Sequence, residues 1–490
     1  MALPRSMSKG ASVLTYPVRL RVVARYLSQL SAMLAVLTLP ACAVAFVHAE
    51  TTVGCIYLLI AATLFIIAWS GRALPNPDSV QRNEGIVVVA LTFVVTPLMM
   101  AMPLAAGGLA PVDALFEAVS AITTTGLSTV GSVDGRSQAF LFQRAWLQWC
   151  GGLGIAALSV ALFMGHQAAA RRLTSPTDDS NIATMARTQA RQILRVYVIL
   201  TLLGTLALSF VTGDIFLAFV NMLATVSTGG FSPFDASIAA LPRAGAWIVT
   251  TFSLCGAIPL LLYHRLLDGQ PRALSDDAEV RALVGLALLA SALLALSLWR
   301  NSGFSPAEAI RHGAMLGISA QSTTGFSSLD VGQLDANSKL LLMVSMFVGG
   351  GSGSTAGGIK LLRFLIVLGL LQHYLRRSAM PPHAVAQPRL SGQALGPVEI
   401  EQAILIASLF VVTIVVSWLV FVAFGHPPLD ALFEVTSAVG TVGLSTGITA
   451  ADLEPALKLL LVFDMLLGRL EVLALLVLLY PVTWLGNRAA

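Results

Sequence analysis

The chain has 490 residues, 56% of them hydrophobic and only 11% charged, with a mean hydropathy of +0.82 and a formal net charge of +4. Soluble globular domains carry about 25% charged residues, so this composition excludes a soluble catalytic domain, and no nucleic-acid partner is expected. Apolar stretches of about 20 residues recur along the length, each able to cross a bilayer core as a helix.

Five basic residues (Arg5, Lys9, Arg19, Arg21, Arg25) precede an apolar run that starts near Leu30. The run is long, Pro40 interrupts it, and a second run follows at once, which argues against a cleaved signal peptide. Ten membrane-crossing segments are expected, near residues 30–48, 54–69, 86–105, 140–165, 193–212, 245–267, 280–299, 338–374, 400–424 and 456–484. The eighth is too long for one simple helix, and glycines break its middle. Shorter apolar stretches of 11–16 residues lie between several spans and read as re-entrant half-helices. With the N-terminus inside, eighteen Lys and Arg residues fall on the cytoplasmic side and seven outside, the bias that cytoplasmic loops carry. Both termini are therefore expected in the cytoplasm, with every half-helix on the outer side. Cys42, Cys55, Cys150 and Cys255 lie in or beside apolar runs without a CxxC pair, and the seven histidines are scattered. Apolar packing, not a metal site or disulfide framework, is the expectation.

An internal repeat organises the chain. Residues 113–128 (DALFEAVSAITTTGLS) and 430–445 (DALFEVTSAVGTVGLS) agree at eleven of sixteen positions, 317 residues apart. The ending recurs as TGGFS at 228–232 and TTGFS at 323–327, placing glycines at 126, 230, 325 and 443. Each copy lies between two spans. The predicted units are 1–80 (a tail and two extra spans), 81–175, 176–272, 273–395 and 396–490, the last four each a span, a short helix, a glycine strand and a span.

The short helix from Asp113 to Thr123 has eleven residues, about 16 Å at 1.5 Å per residue, or half the hydrocarbon core. Ser305-Pro306 with Glu308 predicts a capping box at the third such helix. Four helix C-termini aimed inward, each with about half a negative charge, favour a dehydrated cation. Extended backbone at membrane depth persists only where it is buried or lines an aqueous cavity. Rings of carbonyls from such strands are how potassium filters replace hydration. The candidate ion-binding residues are Thr124, Thr125 and Gly126; Thr228, Gly229 and Gly230; Thr323, Thr324 and Gly325; and Thr441, Val442 and Gly443. Potassium is the only metal ion expected, as cargo at these strands.

A second feature is Gly349-Gly350-Gly351-Ser352-Gly353-Ser354-Thr355-Ala356-Gly357-Gly358. Six glycines within ten residues cannot sustain a membrane helix, since each costs about 1 kcal/mol relative to alanine. The loop 349–358 reads as a flexible polar gate beneath the filter, or as a packing hinge. It lacks the Gly-Lys-Ser/Thr ending of a phosphate-binding loop, so no nucleotide is expected on this chain. Lys360 and Arg469 are charges in or near apolar helices, where a cavity or a partner is required. Lys360 serves the gate or snorkels to the interface. Arg469 either pairs with Asp464 or Glu471, or stands near the pore as a barrier to cations. Asp113, Glu117, Asp430 and Glu434 lie on the outer side, where they attract cations or cap helices.

These features resemble the TrkH/Ktr/HKT superfamily of cation transporters, and its TrkH branch most closely, over residues 30 to 485. The four glycine strands carry the likeness, together with Arg144-Ala-Trp-Leu-Gln-Trp-Cys-Gly-Gly-Leu-Gly154, Gly349-Gly-Gly-Ser-Gly-Ser-Thr-Ala-Gly-Gly-Ile-Lys360 and Leu466-Leu-Gly-Arg-Leu-Glu471. The resemblance implies an all-α membrane protein with four M1–pore helix–M2 repeats around one single-chain pore, preceded by two extra helices. It further implies potassium uptake across a bacterial cytoplasmic membrane, a homodimer in lipid, and a cytosolic TrkA-like nucleotide-binding ring as regulatory partner. The alternatives are the ion-translocating subunit of an ATP-driven potassium pump and a sodium-permeable relative. An enzyme is not expected: an HExxH motif, paired intramembrane aspartates and a histidine cluster do not occur in the sequence.

Overall fold

The computed structural model of the protein describes residues 17–75, 81–172, 179–381, 387–390 and 393–485. The basic residues Arg5, Lys9 and Arg488 lie outside the described residues, as do the side chains of Arg82, Arg171, Arg172 and Arg187.

Among the described residues the secondary structure is helical, apart from a two-residue ladder pairing β1 (Arg389–Leu390) with β2 (Gln393–Ala394). Helices α1 (Leu20–Val47) and α2 (Thr51–Ser70) form a hairpin that packs on α3 and α5. Four units then follow in chain order. The first is α3 (Arg82–Ala106), the short α4 (Pro111–Ile122) and α5 (Gln138–Arg172). The second is α6 (Asp179–Thr212), the short α7 (Ile215–Val226), α8 (Arg243–Gly256) and α9 (Leu260–Leu267), followed by the single turn α10 (Arg272–Ser275). The third is α11 (Ala278–Asn301), the short α12 (Pro306–Gln321), α13 (Ala336–Val348) and α14 (Leu361–Ser378). The fourth is α15 (Pro397–Ala423), the short α16 (Pro428–Val439), α17 (Pro455–Arg469) and α18 (Leu473–Leu479), with α19 (Pro481–Leu485) ending the described chain.

Local chemistry sets these boundaries. Pro111, Pro306 and Pro428 open three of the short helices at the first turn, where the missing N–H costs nothing. The expected capping box closes at α12: Ser305 Oγ accepts from Glu308 N at 3.4 Å while Glu308 Oε2 accepts from Ser305 N at 3.2 Å. Asp214 caps α7 and Asp335 caps α13 through their carboxylates.

The packing turns a soluble protein inside out. The middle and C-terminal parts of the short helices, from Ala114 to Ile122 in α4 for example, are buried almost without a break apart from Leu115. Large apolar side chains such as Phe65, Leu288, Val412 and Leu419 are exposed on the long outer helices, where lipid solvates them. The short helix of each unit packs against the inner helix of the unit before it: α5 meets α7, α8 meets α12, α13 meets α16, and α17 meets α4. The last contact closes the four units into a ring.

Among the described residues six helices are individually long and apolar enough to cross a membrane, and α8 with α9, bent by 95° at a short break, is a seventh candidate. The protein is thus a multi-pass membrane protein, but three of the ten expected spans are not simple helices. The eighth breaks at the glycine loop, as expected. The sixth breaks at 257–259, before Pro259, whose ring cannot continue the ladder. The tenth breaks at 470–472, where Glu471 and Val472 adopt left-handed φ values of 54° and 60°, uncommon for any L-residue and an outlier for a β-branched one.

Candidate functional site

Each short helix ends in the middle of the ring and hands over to its glycine strand. The first residue of every strand is a left-handed threonine: Thr124 (φ 53°), Thr228 (51°), Thr323 (54°) and Thr441 (49°). Two residues on comes a left-handed glycine: Gly126 (89°), Gly230 (77°), Gly325 (80°) and Gly443 (96°). The residue between does not share that handedness. Alternating handedness turns successive carbonyls to the same side of a strand, whereas an ordinary β-strand sends them to opposite sides.

The strands meet in a closed order. A side chain at Gly126 would collide with the carbonyl oxygen of Gly229; at Gly230, with that of Thr324; at Gly325, with that of Val442; and at Gly443, with that of Thr125. The twelve residues expected at the site are therefore together, each glycine against its neighbour's backbone. Behind them, Gly151, Gly256 and Gly468 of three inner helices lie against the last carbonyls of their own short helices, Ile122, Val226 and Val439.

Buried polar side chains brace the strands. In the first unit Ser120 Oγ accepts from Gly126 N (3.1 Å) and donates to the Leu127 carbonyl (2.6 Å); Ser437 likewise accepts from Gly443 N (3.0 Å). Glu117 is fully buried and receives Ser128 Oγ (2.5 Å), Thr129 N (3.0 Å) and Arg144 Nε (2.8 Å). Arg144 also lies 3.8 Å from the Phe231 ring centroid, reaching the second strand. Glu434 does the same work in the fourth unit with the hydroxyls of Ser445, Thr446 and Thr449 in place of an arginine.

Asp113 and Asp430 neither cap helices nor stand free for cations. Asp113 pairs with Lys458 of the fourth unit at 2.7 Å, and Asp430 with Lys339 of the third at 2.8 Å. Each lies in the first turn and binds a neighbouring unit instead. At the end of the ring away from the glycine loop, burial works to raise the Asp235 carboxyl. The Ser132 hydroxyl and the Val133 amide overcome that and hold it below the ordinary range.

The glycine loop lies against the inner ends of three strands. Gly357 N donates to Thr323 Oγ1 at 2.6 Å, Gly358 N to the Gly440 carbonyl at 3.0 Å, and Thr228 Oγ1 lies 3.4 Å from Thr355 Oγ1. A side chain on Gly357 would strike Thr441 Oγ1. The loop is anchored elsewhere as well. Gln321 Nε2 donates to the Gly349 carbonyl (2.7 Å), Gly351 N to the Ala257 carbonyl (3.0 Å), and Ser352 N to Glu279 Oε2 (2.5 Å).

Arg469 is 3% exposed and donates Nη1 to the Thr355 carbonyl at 2.9 Å, while its Nε and Nη2 are buried without a protein partner. The ion-pair reading fails for both named acids. Asp464 Oδ1 accepts from Ser417 Oγ at 2.8 Å, and Glu471 pairs with Arg363 of α14 at 2.5 Å. Asp464 and Glu471 sit five residues before and two after Arg469, which sends their side chains to other faces of the segment. Lys360 does not snorkel: it is 6% exposed, and its Nζ donates to the Ala356 carbonyl inside the loop.

Sequence reasoning missed Gln148, Gln321 and Glu279. Nothing in their local spacing marks them, because each acts on a segment far away in the chain. Cys42 is buried, Cys55 is exposed on the outer face, and all four cysteines are free. No group of three His, Cys, Asp or Glu side chains suited to a metal occurs among the described residues.

A family profile described as TrkH, cation transport protein, matches residues 59–482. The Trk system potassium uptake protein TrkH of Escherichia coli K12 is 31% identical over 442 residues, covering 86% of this chain and 91% of that protein. TrkI of Halomonas elongata, also named a Trk system potassium uptake protein, is 33% identical over 442 residues, covering 87% and 88%. Among solved structures, the potassium transporter TrkH from Vibrio parahaemolyticus superposes with a TM-score of 0.82 at 27% identity, covering 95% of this chain and all of that one.

Proposed function

Because the chain belongs to the TrkH family of cation transport proteins, we propose that it carries potassium into the cell through the ring of four glycine strands. The observation that carries this reading is the closed order of contacts, glycine of one strand to carbonyl of the next, all the way round. Four equivalent backbones at the inward ends of four short helices supply carbonyl oxygens and helix-dipole charge to a dehydrated monovalent cation. The relatives named as potassium uptake proteins support potassium over sodium.

The glycine loop is the gate. It engages the hydroxyls of Thr228 and Thr323 and crowds that of Thr441 at the inner end. Arg469 holds it there and adds a positive charge that arginine does not lose at physiological pH. Lys360 braces the loop from its cytoplasmic side. We assign both termini to the cytoplasm of a bacterial inner membrane, two copies to the working assembly, and a cytosolic nucleotide-binding partner to the cytoplasmic face; this chain itself binds no nucleotide.

The test is growth of a bacterium lacking its own potassium uptake systems on limiting potassium, with this gene alone and with a nucleotide-binding partner gene. Rescue supports potassium uptake. No rescue under either condition, with the protein present in the membrane, contradicts it.

A further inference from the structure

The second strand departs from the other three. Its middle residue is Gly229, where the others have Thr125, Thr324 and Val442. In the first and third strands that threonine is tied back to the end of its short helix: Thr123 Oγ1 to Thr125 Oγ1 at 2.8 Å, and Ser322 Oγ to Thr324 Oγ1 at 2.7 Å. Ser227 stands at the matching place in the second unit, but Gly229 offers it no hydroxyl. Gly229 and Gly230 are also consecutive, so the peptide between them has no Cβ on either side to resist rotation.

The space a side chain on Gly229 would fill is occupied by Gln148, from the inner helix of the first unit. Its carboxamide grips this backbone at two points. Nε2 donates to the Gly229 carbonyl at 2.5 Å, and Oε1 accepts from Phe231 N at 3.2 Å. Gln148 itself is fully buried. The Gly229 carbonyl is the same one that faces Gly126 in the ring.

We propose that Gln148 is a positioning residue for ion selectivity: it replaces the missing side chain of Gly229 and fixes the orientation of the one strand whose middle residue has no side chain. The proposal rests on reading 228–230 as a filter strand. A carbonyl ring discriminates between cations only while all its members keep their orientation. Losing the clamp frees the Gly229–Gly230 peptide to turn, with a sodium-tolerant ring as the consequence.

The experiment measures potassium-to-sodium permeability ratios of the purified full-length protein in planar bilayers. In Gln148→Leu, which keeps the bulk and loses both hydrogen bonds, the ratio falls about tenfold, equivalent to ~1.4 kcal/mol, while conduction itself persists. Gly229→Thr alone collides with Gln148 and loses selectivity. Combined with Gln148→Ala, the threonine gains both the vacated space and Ser227 as partner. The double variant therefore recovers most of the selectivity that Gln148→Ala loses, which a merely structural role for Gln148 does not predict. An unchanged ratio in Gln148→Leu overturns the proposal. So does a Gly229→Thr variant as selective as the parent with Gln148 in place, which remains decisive if Gln148→Leu does not fold. A parent protein that does not discriminate the two ions contradicts the filter reading itself and is thereby distinguished.

Discussion

The outer and inner halves of this ring obey different rules. Around the strands, the same backbone geometry appears four times, and each glycine meets the next strand's carbonyl. Below them nothing repeats. The inner helix of the first unit runs unbroken as α5, that of the second bends by 95°, the third opens into the glycine loop, and the fourth breaks beside two left-handed residues. A carbonyl ring needs equivalent members, so selectivity enforces repetition. A gate needs one segment able to move against others that do not, so it requires the repetition to fail. The polar groups divide in the same way. Glu117 and Glu434 beside the strands are fully bonded, whereas Arg469 beside the loop keeps two buried donors without a protein partner.

Substitutions separate the two halves. The largest effect is expected from breaking the Arg144–Glu117 pair, both members of which are buried. Arg144→Leu leaves an uncompensated carboxylate and costs about 3–5 kcal/mol of stability, read as loss of monodisperse protein on heating. Next is Gly126→Ser in the upper half. Its left-handed backbone costs about 1–2 kcal/mol for a non-glycine residue, and its side chain must displace the Gly229 carbonyl. Potassium-over-sodium selectivity falls about tenfold or more, while the gating response stays. In the lower half the reverse holds. Arg469→Ala removes a positive charge and the anchor on Thr355, so rubidium uptake into proteoliposomes rises several-fold at unchanged selectivity. Unchanged flux with loss of folded protein assigns Arg469 a structural role instead. Gly350→Ala with Gly351→Ala collides with Ala356 inside the loop and with Pro259 beside it, and alters open probability more than selectivity. The smallest effect is expected at the outer rim. Lys458→Met removes a buried ammonium from opposite a partly exposed Asp113, destabilises less than Arg144→Leu because water still reaches that carboxylate, and leaves ion preference intact.

The upper half was legible in the sequence for the reason that makes it work. Equivalence around an axis, within one chain, must be written as a repeat, and the four Thr-x-Gly copies announced the strands and their register. The glycine loop was legible because its composition cannot form a membrane helix. The corner at Glu471–Val472 was not, since leucine-rich sequence on both sides reads as one continuous helix and Arg363, which pairs with Glu471 at the corner, lies on another segment. The roles of Asp113 and Asp430 were misread because their lysine partners are 345 and 91 residues away. Gln148 was inside a stretch already set apart, yet its purpose appears only once the void at Gly229 is seen beside it.

On the proposed function, the four glycine strands form one potassium-selective path. The most direct measurement is the reversal potential of currents through the purified protein in a planar bilayer with potassium on one side and sodium on the other. The expected reversal potential is set by the potassium gradient, shifted toward zero by Gly126→Ser and left in place by Arg469→Ala. A current that reverses midway between the two ions in the parent protein, or that ignores Gly126→Ser, contradicts it.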